Sequence, residues 1–581
     1  MMSSLAHWAA SIPPGLLMIL GGLLVPLIPK TFRKVWMLAL PILGLAQLWL
    51  LPLGFDWTLE IFGSLELQLV RLDKLSRIFG TIFHIAAIIT VIYSLKEDDD
   101  LQHVAGLTYS GSAIGAVFAG DLVTLFLYWE LTAITSVFLI WARRTARSYK
   151  VGLRYLVVQV LSGVLLLAGT MVRYAETQSL DFGLLGDPFE SLGTGLIFLA
   201  FGIKAAFPML HAWLEDAYPE ATIGGTVWLS AFTTKLAIYA LARGFAGTDI
   251  LIPIGATMTA FPIFYAVIEN DLRRVLAYSL NNQLGYMVVG IGIGTELAIN
   301  GAAAHAFAHI LYKGLLFMSM GAVLLRAGTV NGSDLGGLWK KMPWTTAFCI
   351  IGAMAISAFP LFSGFVTKSM ILTAAAEEHH TVAFLVLLFA SAGVFHHSGI
   401  KIPYFAFFAH NSKAAEKVTG EAPLNMLIAM GIAAFLCIAI GVMPGPLYEL
   451  LPYDTHGYSA YDVTHVVTQS QLLLFSALAF VFLQKMGWYP PELRSVVLDV
   501  DWLYRKPLKQ AALWTARAIG RGIEGSKTVV FGLAGRVVNG VGSMFVPGQR
   551  KLSLGDPWPS GMTAACAAGV LLVYLLVAYF A

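Results

Sequence analysis

Apolar runs of about 20 residues recur from Pro13 to Tyr579, separated by short polar stretches. A helix of that length spans the hydrocarbon core of a bilayer, so each run is expected to be a transmembrane helix. Strand-like alternation is missing, which argues against a membrane β-barrel. The pattern predicts an all-α polytopic membrane protein with about 16 spans. They are expected near 12–29, 35–53, 75–95, 101–119, 122–141, 151–172, 192–213, 225–243, 250–268, 272–294, 298–325, 344–376, 381–408, 423–443, 467–485 and 561–580.

Composition agrees. Hydrophobic residues make up 57% of the chain and charged ones only 12%, against roughly 25% charged in soluble domains. Mean hydropathy is +0.74. The net charge of +3 names no partner, because the basic residues follow the loops. Lys30, Arg33, Arg143, Arg144, Arg147, Arg273, Arg274, Lys340, Lys341, Lys413 and Lys417 all fall in odd-numbered loops, as does the stretch from Arg494 to Lys551. The positive-inside rule then puts odd loops in the cytoplasm and both termini outside an inner (plasma) membrane. Met1 to Ala10 lacks the basic region of a cleavable signal, so none is expected. Cys349, Cys437 and Cys566 lie in apolar spans, spaced for neither metal nor disulfide.

Two spans carry the same punctuation. Ala205-Ala206-Phe207-Pro208-Met209-Leu210 matches Ser357-Ala358-Phe359-Pro360-Leu361-Phe362, 152 residues further on. A proline inside a helix removes one backbone bond and frees the carbonyl four residues earlier. Pro208 therefore frees that of Lys204 and Pro360 that of Ile356, with Gly364 in the same weakened region. The two lie five spans apart and so have opposite topology, the pattern of an inverted repeat around a transport site. The same offset carries Glu130 onto Asn282. Two ordinary proline kinks are the plain alternative.

Glu130, Lys204, Lys235 and Lys368 lie inside the apolar runs. A charge at the bilayer centre costs about 2.5–3.5 kcal/mol on insertion scales, so each needs a partner, water or a function. Burial disfavours a charged lysine and a nearby carboxylate favours it. Glu130 and Lys204 are thus the candidate pair, with a packing role for Glu130 as the alternative. His305, His309 and Lys313 stand at i, i+4 and i+8, one helix face, and histidine passes protons near neutral pH. A metal site is the rival, but a lysine in the row and no supporting carboxylate argue against it; polar packing between helices is the other alternative. Lys235 is a candidate bridge between halves and Lys368 a candidate last carrier, unless either snorkels to an interface. His211, Asp216 and Glu220 are candidates for an entrance, with loop solvation the alternative. His396-His397 lacks helical alignment with the row and is read as structural or pore-rim. No phosphate loop, iron–sulfur cysteines or nucleotide fingerprint is present, so no cofactor is expected and nucleic acid is not a partner. From Val500 to Val546, Leu508, Ala512, Ile519 and Ile523 form an apolar stripe beside Lys509, Arg517, Arg521 and Lys527, as in a helix on a membrane surface.

Several stretches together carry a resemblance to a family: Leu127-Tyr128-Trp129-Glu130-Leu131, Lys204 through Ala221, Thr233-Thr234-Lys235, Ala277-Tyr278-Ser279, His305 through Phe317 and Phe359 through Lys368. The chain resembles the antiporter-like subunits shared by respiratory complex I, membrane-bound hydrogenases and Mrp-type cation/proton antiporters. That resemblance implies two inverted five-helix repeats, each with a broken helix. It also implies a proton relay of Glu130, Lys204, Lys235, His305, His309, Lys313 and Lys368. The expected division is 1–100 for N-terminal spans, 101–245 and 250–410 for the repeats, 411–490 for further spans, 491–555 for the surface segment and 556–581 for a final span. Asp216 through Ala221, Lys401 through Phe405 and Asp501 through Arg505 most resemble the Mrp D-type branch, although Glu215 replaces its usual proline. The function implied is proton translocation in a multisubunit Na⁺/proton antiporter, with other membrane subunits, lipid, protons and a monovalent cation as partners. The alternative is a proton-pumping subunit of a redox-driven complex; on the first reading the chain is a transporter subunit rather than an enzyme.

Overall fold

The computed structural model describes residues 9–61, 63, 65–494, 497–545 and 560–580. Its contacts divide it into two units, Met1–Asp499 and Val500–Ala581. In the first, the helices longer than five residues are α1 (Leu16–Leu23), α2 (Lys30–Leu50), α3 (Lys74–Ser94), α4 (Asp100–Phe118), α5 (Leu122–Trp141), α6 (Ala146–Thr177), α7 (Leu192–Lys204), α8 (Ala212–Glu220), α9 (Ile223–Ala231), α10 (Thr233–Gly244), α11 (Leu251–Ile268), α12 (Leu272–Ile293), α13 (Glu296–Ala327), α14 (Pro343–Ile356), α15 (Ser363–Glu377), α16 (Thr381–Phe408), α17 (Leu424–Val442) and α18 (Val463–Lys485). The second holds α19 (Lys509–Phe545) and α20 (Ser560–Phe580). Residues 546–555 of the expected surface segment, and Met1 to Trp8 of the stretch read for a signal, lie outside the described residues.

Among the described residues, eight helices are long and apolar enough by themselves to cross a membrane. Three of the other expected spans fail that test because the backbone interrupts them. The run 192–213 divides into α7 and α8, 225–243 into α9 and α10, and 344–376 into α14 and α15. A hydropathy window sees apolar length and cannot see a broken hydrogen-bond ladder. Strand structure was not expected, yet Asp56–Ile61 (β1) and Leu65–Arg71 (β2) form an antiparallel hairpin, too short a piece of alternation to stand out between spans. Helix starts follow local chemistry: the side chains of Asp121, Ser191, Thr222 and Thr295 each accept a first-turn amide of the helix that follows, worth about 1 kcal/mol apiece.

The two interruptions match atom for atom. Ala206 and Ala358 have φ of 62° and 56°, and Met209 and Leu361 of 69° and 74°. Phe207 N donates to Gly202 O and Phe359 N to Met354 O, both at 3.0 Å. A second pair of loops repeats as well, at a spacing of 150. Leu122 N donates to Leu180 O and Leu272 N to Val330 O, and Asp121 bridges Asp181 as Asp271 bridges Asn331. At that spacing Glu130 falls opposite Leu280, two residues short of Asn282. Loop lengths shift the register by two between the anchors.

At the centre lies α13, 32 residues long and enclosed by α3, α9, α12, α14, α15 and α17. The second interruption is held tight from behind. A side-chain carbon on Gly364 would stand 1.9 Å from the Ala355 carbonyl oxygen. Gly364→Ala should cost about 1–3 kcal/mol through this overlap, and a lowered thermal unfolding midpoint of the purified protein in detergent is the measurement that checks it.

Candidate functional site

Lys204, Lys235, His305, His309, Lys313 and Lys368 are all buried, at most 1% exposed, while Glu130 is half-buried. Their partners are mostly backbone. Lys204 ends α7 and its Nζ donates to Trp129 O at 2.6 Å and Thr132 Oγ1 at 3.0 Å, 4.3 Å from the Trp129 ring centre. Lys235 donates to Ser230 O at 2.6 Å, beside the break between α9 and α10. Lys313 donates to Leu276 O at 3.2 Å and Ser279 Oγ at 2.9 Å. Lys368 donates at 2.7 Å to Ile356 O, the carbonyl that Pro360 was expected to free.

The direct Glu130–Lys204 ion pair is not formed. Glu130 Oε1 is buried with no hydrogen-bond partner and lies over Gly163 of α6, where a side-chain carbon would come within 1.4 Å of it. The carboxylate projects from α5 toward α6, while Lys204 reaches past it to the neighbouring carbonyl of Trp129. The two groups remain within electrostatic range of each other.

The row on α13 forms as expected. The His305 and His309 rings lie 6.2 Å apart and stacked. His305 Nδ1 meets Thr367 Oγ1 at 3.0 Å, and both nitrogens of His309 are buried without partners. Beyond the row, Lys368 lines a cavity of about 220 Å³ that also touches Thr373, Glu377 and His465, room for several waters. His465 Nε2 lies 2.9 Å from Thr373 Oγ1, and its Nδ1 lies 2.9 Å from Asp462.

The expected entrance residues take different partners. Glu220 pairs with Arg147 at 2.8 Å and Arg143 at 3.3 Å, and Asp216 with Arg154 at 3.1 Å. His211 instead contacts Asp499 at 3.2 Å, which also accepts from Tyr278 OH at 3.0 Å. One turn beyond His211, the Glu215 carboxylate is buried with neither oxygen bonded to a donor. Arg273, expected in a loop, is buried and caps the end of α8 by donating to Pro219 O and Ala221 O.

Sequence reasoning passed over Asp499 and Lys401. The first lies far along the chain in a polar stretch, with nothing local to tie it to His211. Lys401 is fully buried. Its Nζ donates to Val267 O and Glu269 O at 2.7 Å each, at the end of α11, and pairs with Glu492 at 2.9 Å. Burial raises the Glu492 carboxyl above the ordinary carboxylate range, and Lys401 pulls it partly back. The signal for Lys401 was present, a lysine inside an apolar span. Among the described residues, no group of three or more His, Cys, Asp or Glu side chains forms a metal cage.

This is a polytopic helical membrane protein built around a series of buried ionisable side chains, several of them beside helix interruptions. Residues 119–434 match the family described as NADH:quinone oxidoreductase/Mrp antiporter, TM, and the chain belongs to that family of antiporter-like subunits. Over 356 residues it is 32% identical to the D-type component of the Na⁺/H⁺ antiporter of Alkalihalophilus pseudofirmus, covering 58% of this chain and 71% of that one. It is 26% identical to hydrogenase-4 component B of Escherichia coli over 67% of this chain, and spans only 64% of that relative. A chain of the Mrp complex from Dietzia sp. has the same fold, with a TM-score of 0.76 at 23% identity over 96% of this chain and 64% of its own. So does the archaeal membrane-bound sulfane sulfur reductase, with a TM-score of 0.72 at 24% identity over 98% of this chain and all of the matched one.

Removing Lys401 leaves Glu492 facing a buried site without its cation. Lys401→Ala should therefore lose about 3–5 kcal/mol, while Lys401→Met with Glu492→Leu should recover most of it. Thermal unfolding of the parent and these two variants in one detergent checks this.

Proposed function

We propose that this chain is a proton-translocating subunit of a multisubunit monovalent cation (Na⁺)/proton antiporter, most like the D-type component of Mrp complexes. The observation that carries the reading is the series of buried ionisable groups from the His211–Asp499 contact to the cavity beside Lys368. Protons enter near His211, Glu215 and Asp499 and pass Glu130, Lys204 and Lys235. They continue along His305, His309 and Lys313, and leave by Lys368.

The chemistry follows from the partners. A carbonyl holds an ammonium but cannot take its proton, so transfer waits for a change in the local field. Glu130, one residue from the carbonyl that holds Lys204, supplies that field. A small shift of α5 against α7 would alter the hold of Lys204 on its proton.

Surface ion pairs support about 16 spans of alternating direction. Arg33–Asp100, Arg144–Asp99, Arg147–Glu220 and Arg494–Asp334 each join two odd-numbered loops of that division. Arg71–Asp181 and His456–Glu296 each join two even-numbered ones, and Arg243, at the end of the eighth span, pairs with Asp73 of the second loop. The repeated bridge supports inversion, because Asp121–Asp181 falls on even loops and Asp271–Asn331 on odd ones. On this reading both termini face outward, the repeats occupy 101–245 and 250–410, and α19 is an amphipathic helix on the cytoplasmic surface. The path then begins among cytoplasmic loops and ends among external ones. Other membrane subunits complete the complex.

A redox-driven proton pump is the second reading, favoured by the likeness to hydrogenase-4 component B. Flavin or iron–sulfur absorbance in the purified native complex would select it, and Na⁺-dependent proton flux without such absorbance would select the antiporter.

In vesicles holding the assembled complex, Glu130→Gln and Lys204→Ala should each lower proton flux by about tenfold or more. Gly163→Ala, which displaces the Glu130 carboxylate, should lower it in the same direction. Parental flux in all three would sink the relay.

A further inference from the structure

The pair His396-His397 lacks helical register with the row on α13, which on sequence grounds makes both residues structural. His396 fits that description, its ring packed at 5.4 Å on both Phe480 and Tyr489. His397 does not. It is wholly buried and sits in a π-helical turn, Phe395–Ile400, a distortion found often at functional sites.

Its Nδ1 lies 2.9 Å from Ser398 Oγ. Ser398 Oγ donates to Ser279 Oγ at 2.8 Å. Ser279 Oγ in turn accepts from Lys313 Nζ at 2.9 Å. The hydrogen bonds are thus continuous from an imidazole on α16, across α12, to the lysine at the end of the row on α13. The far nitrogen of the ring, Nε2, is buried without a partner. A residue that served only to pack would not leave one nitrogen bare while the other begins a chain of hydroxyls. The ionisable groups around the ring are Lys313 on α13, Lys368 on α15, and His396 and Lys401 on its own helix.

We infer that His397 is a second way into the proton path, joining Lys313 through Ser398 and Ser279 to the Lys401–Glu492 side of the molecule. This rests on the proton-translocating reading above. A proton arrives at the bare Nε2. The Nδ1–H bond breaks as Ser398 Oγ gains that proton, Ser398 passes its own to Ser279, and Ser279 passes its own to the neutral amine of Lys313. Each hydroxyl gives and gains one proton, and the imidazole ends as the other tautomer. Ser398 already donates toward Ser279, the direction that delivery needs, and the Ser279–Lys313 bond, which Lys313 donates, reverses once that amine is neutral. Glu492 and Glu269 lie at the far end, among loops of the same parity as Asp499. The branch therefore feeds the second half from the side on which the first half begins, without passage through Lys204 and Lys235.

The test is proton flux in vesicles holding the assembled complex. Ser398→Ala removes one oxygen from the chain and should lower flux by roughly tenfold. Ser398→Thr restores a hydroxyl and should recover most of that loss. His397→Gln should match Ser398→Ala, while His396→Phe, which keeps the ring packing, should leave flux at the parental rate. If His397→Gln fails to assemble, Ser398→Ala and its threonine rescue decide the matter. Parental flux in Ser398→Ala, with Glu130→Gln and Lys204→Ala impaired, overturns the branch and leaves the main path standing. Parental flux in all of them overturns the proton-translocating reading, and the branch with it.

Discussion

Each buried ammonium in this protein must find inside the helices what water would otherwise supply. An unsolvated charge in an apolar interior is costly enough to neutralise or unfold its surroundings. The solution here is the peptide carbonyl. Lys235, Lys368 and Lys401 donate to carbonyls at the ends of α9, α14 and α11, which lack an intrahelical partner. Lys204 and Lys313 share carbonyls in α5 and α12 with hydroxyls beside them. The interruptions of α9–α10 and α14–α15 are therefore not only hinges. They are ligands.

Most of these lysines have no bonded carboxylate. An ion pair fixes a charge state, whereas a carbonyl supports the ammonium without neutralising it. The protonation state is then left to distant neighbours such as Glu130, whose carboxylate is kept apart by its seat on Gly163. Lys401, with Glu492 beside it at 2.9 Å, is the contrast: a closed pair that anchors the segment after α18 to the body of the fold.

Repetition of the backbone with divergence of its side chains is the second theme. The two breaks share their φ angles and hydrogen bonds, so the scaffold needs the same alanines, phenylalanines and prolines twice. The charges are not repeated. Lys204 corresponds to Ile356, whose carbonyl is taken by Lys368 from the next helix. The two breaks thus share a backbone but not their charges.

Much of this was legible in the residues. Apolar length gave a helical membrane protein, proline at two matching positions gave two of the three breaks, and lysine inside apolar runs gave nearly all of the buried row. Those signals are local, set by backbone geometry or by the cost of charge in lipid, and they survive without knowledge of contacts. What the chain alone could not say was which polar group each charge would choose. Glu130 and Lys204 looked like partners by sign, but side-chain reach and the seat on Gly163 gave Lys204 the Trp129 carbonyl instead. Asp499 reaches His211 from 288 positions away, and His397 joins Lys313 only because α12 sets Ser279 between them. Such pairings are decided by the packing of helices remote in sequence, where a shift of a few ångströms chooses among several acceptors, and no periodicity records that choice.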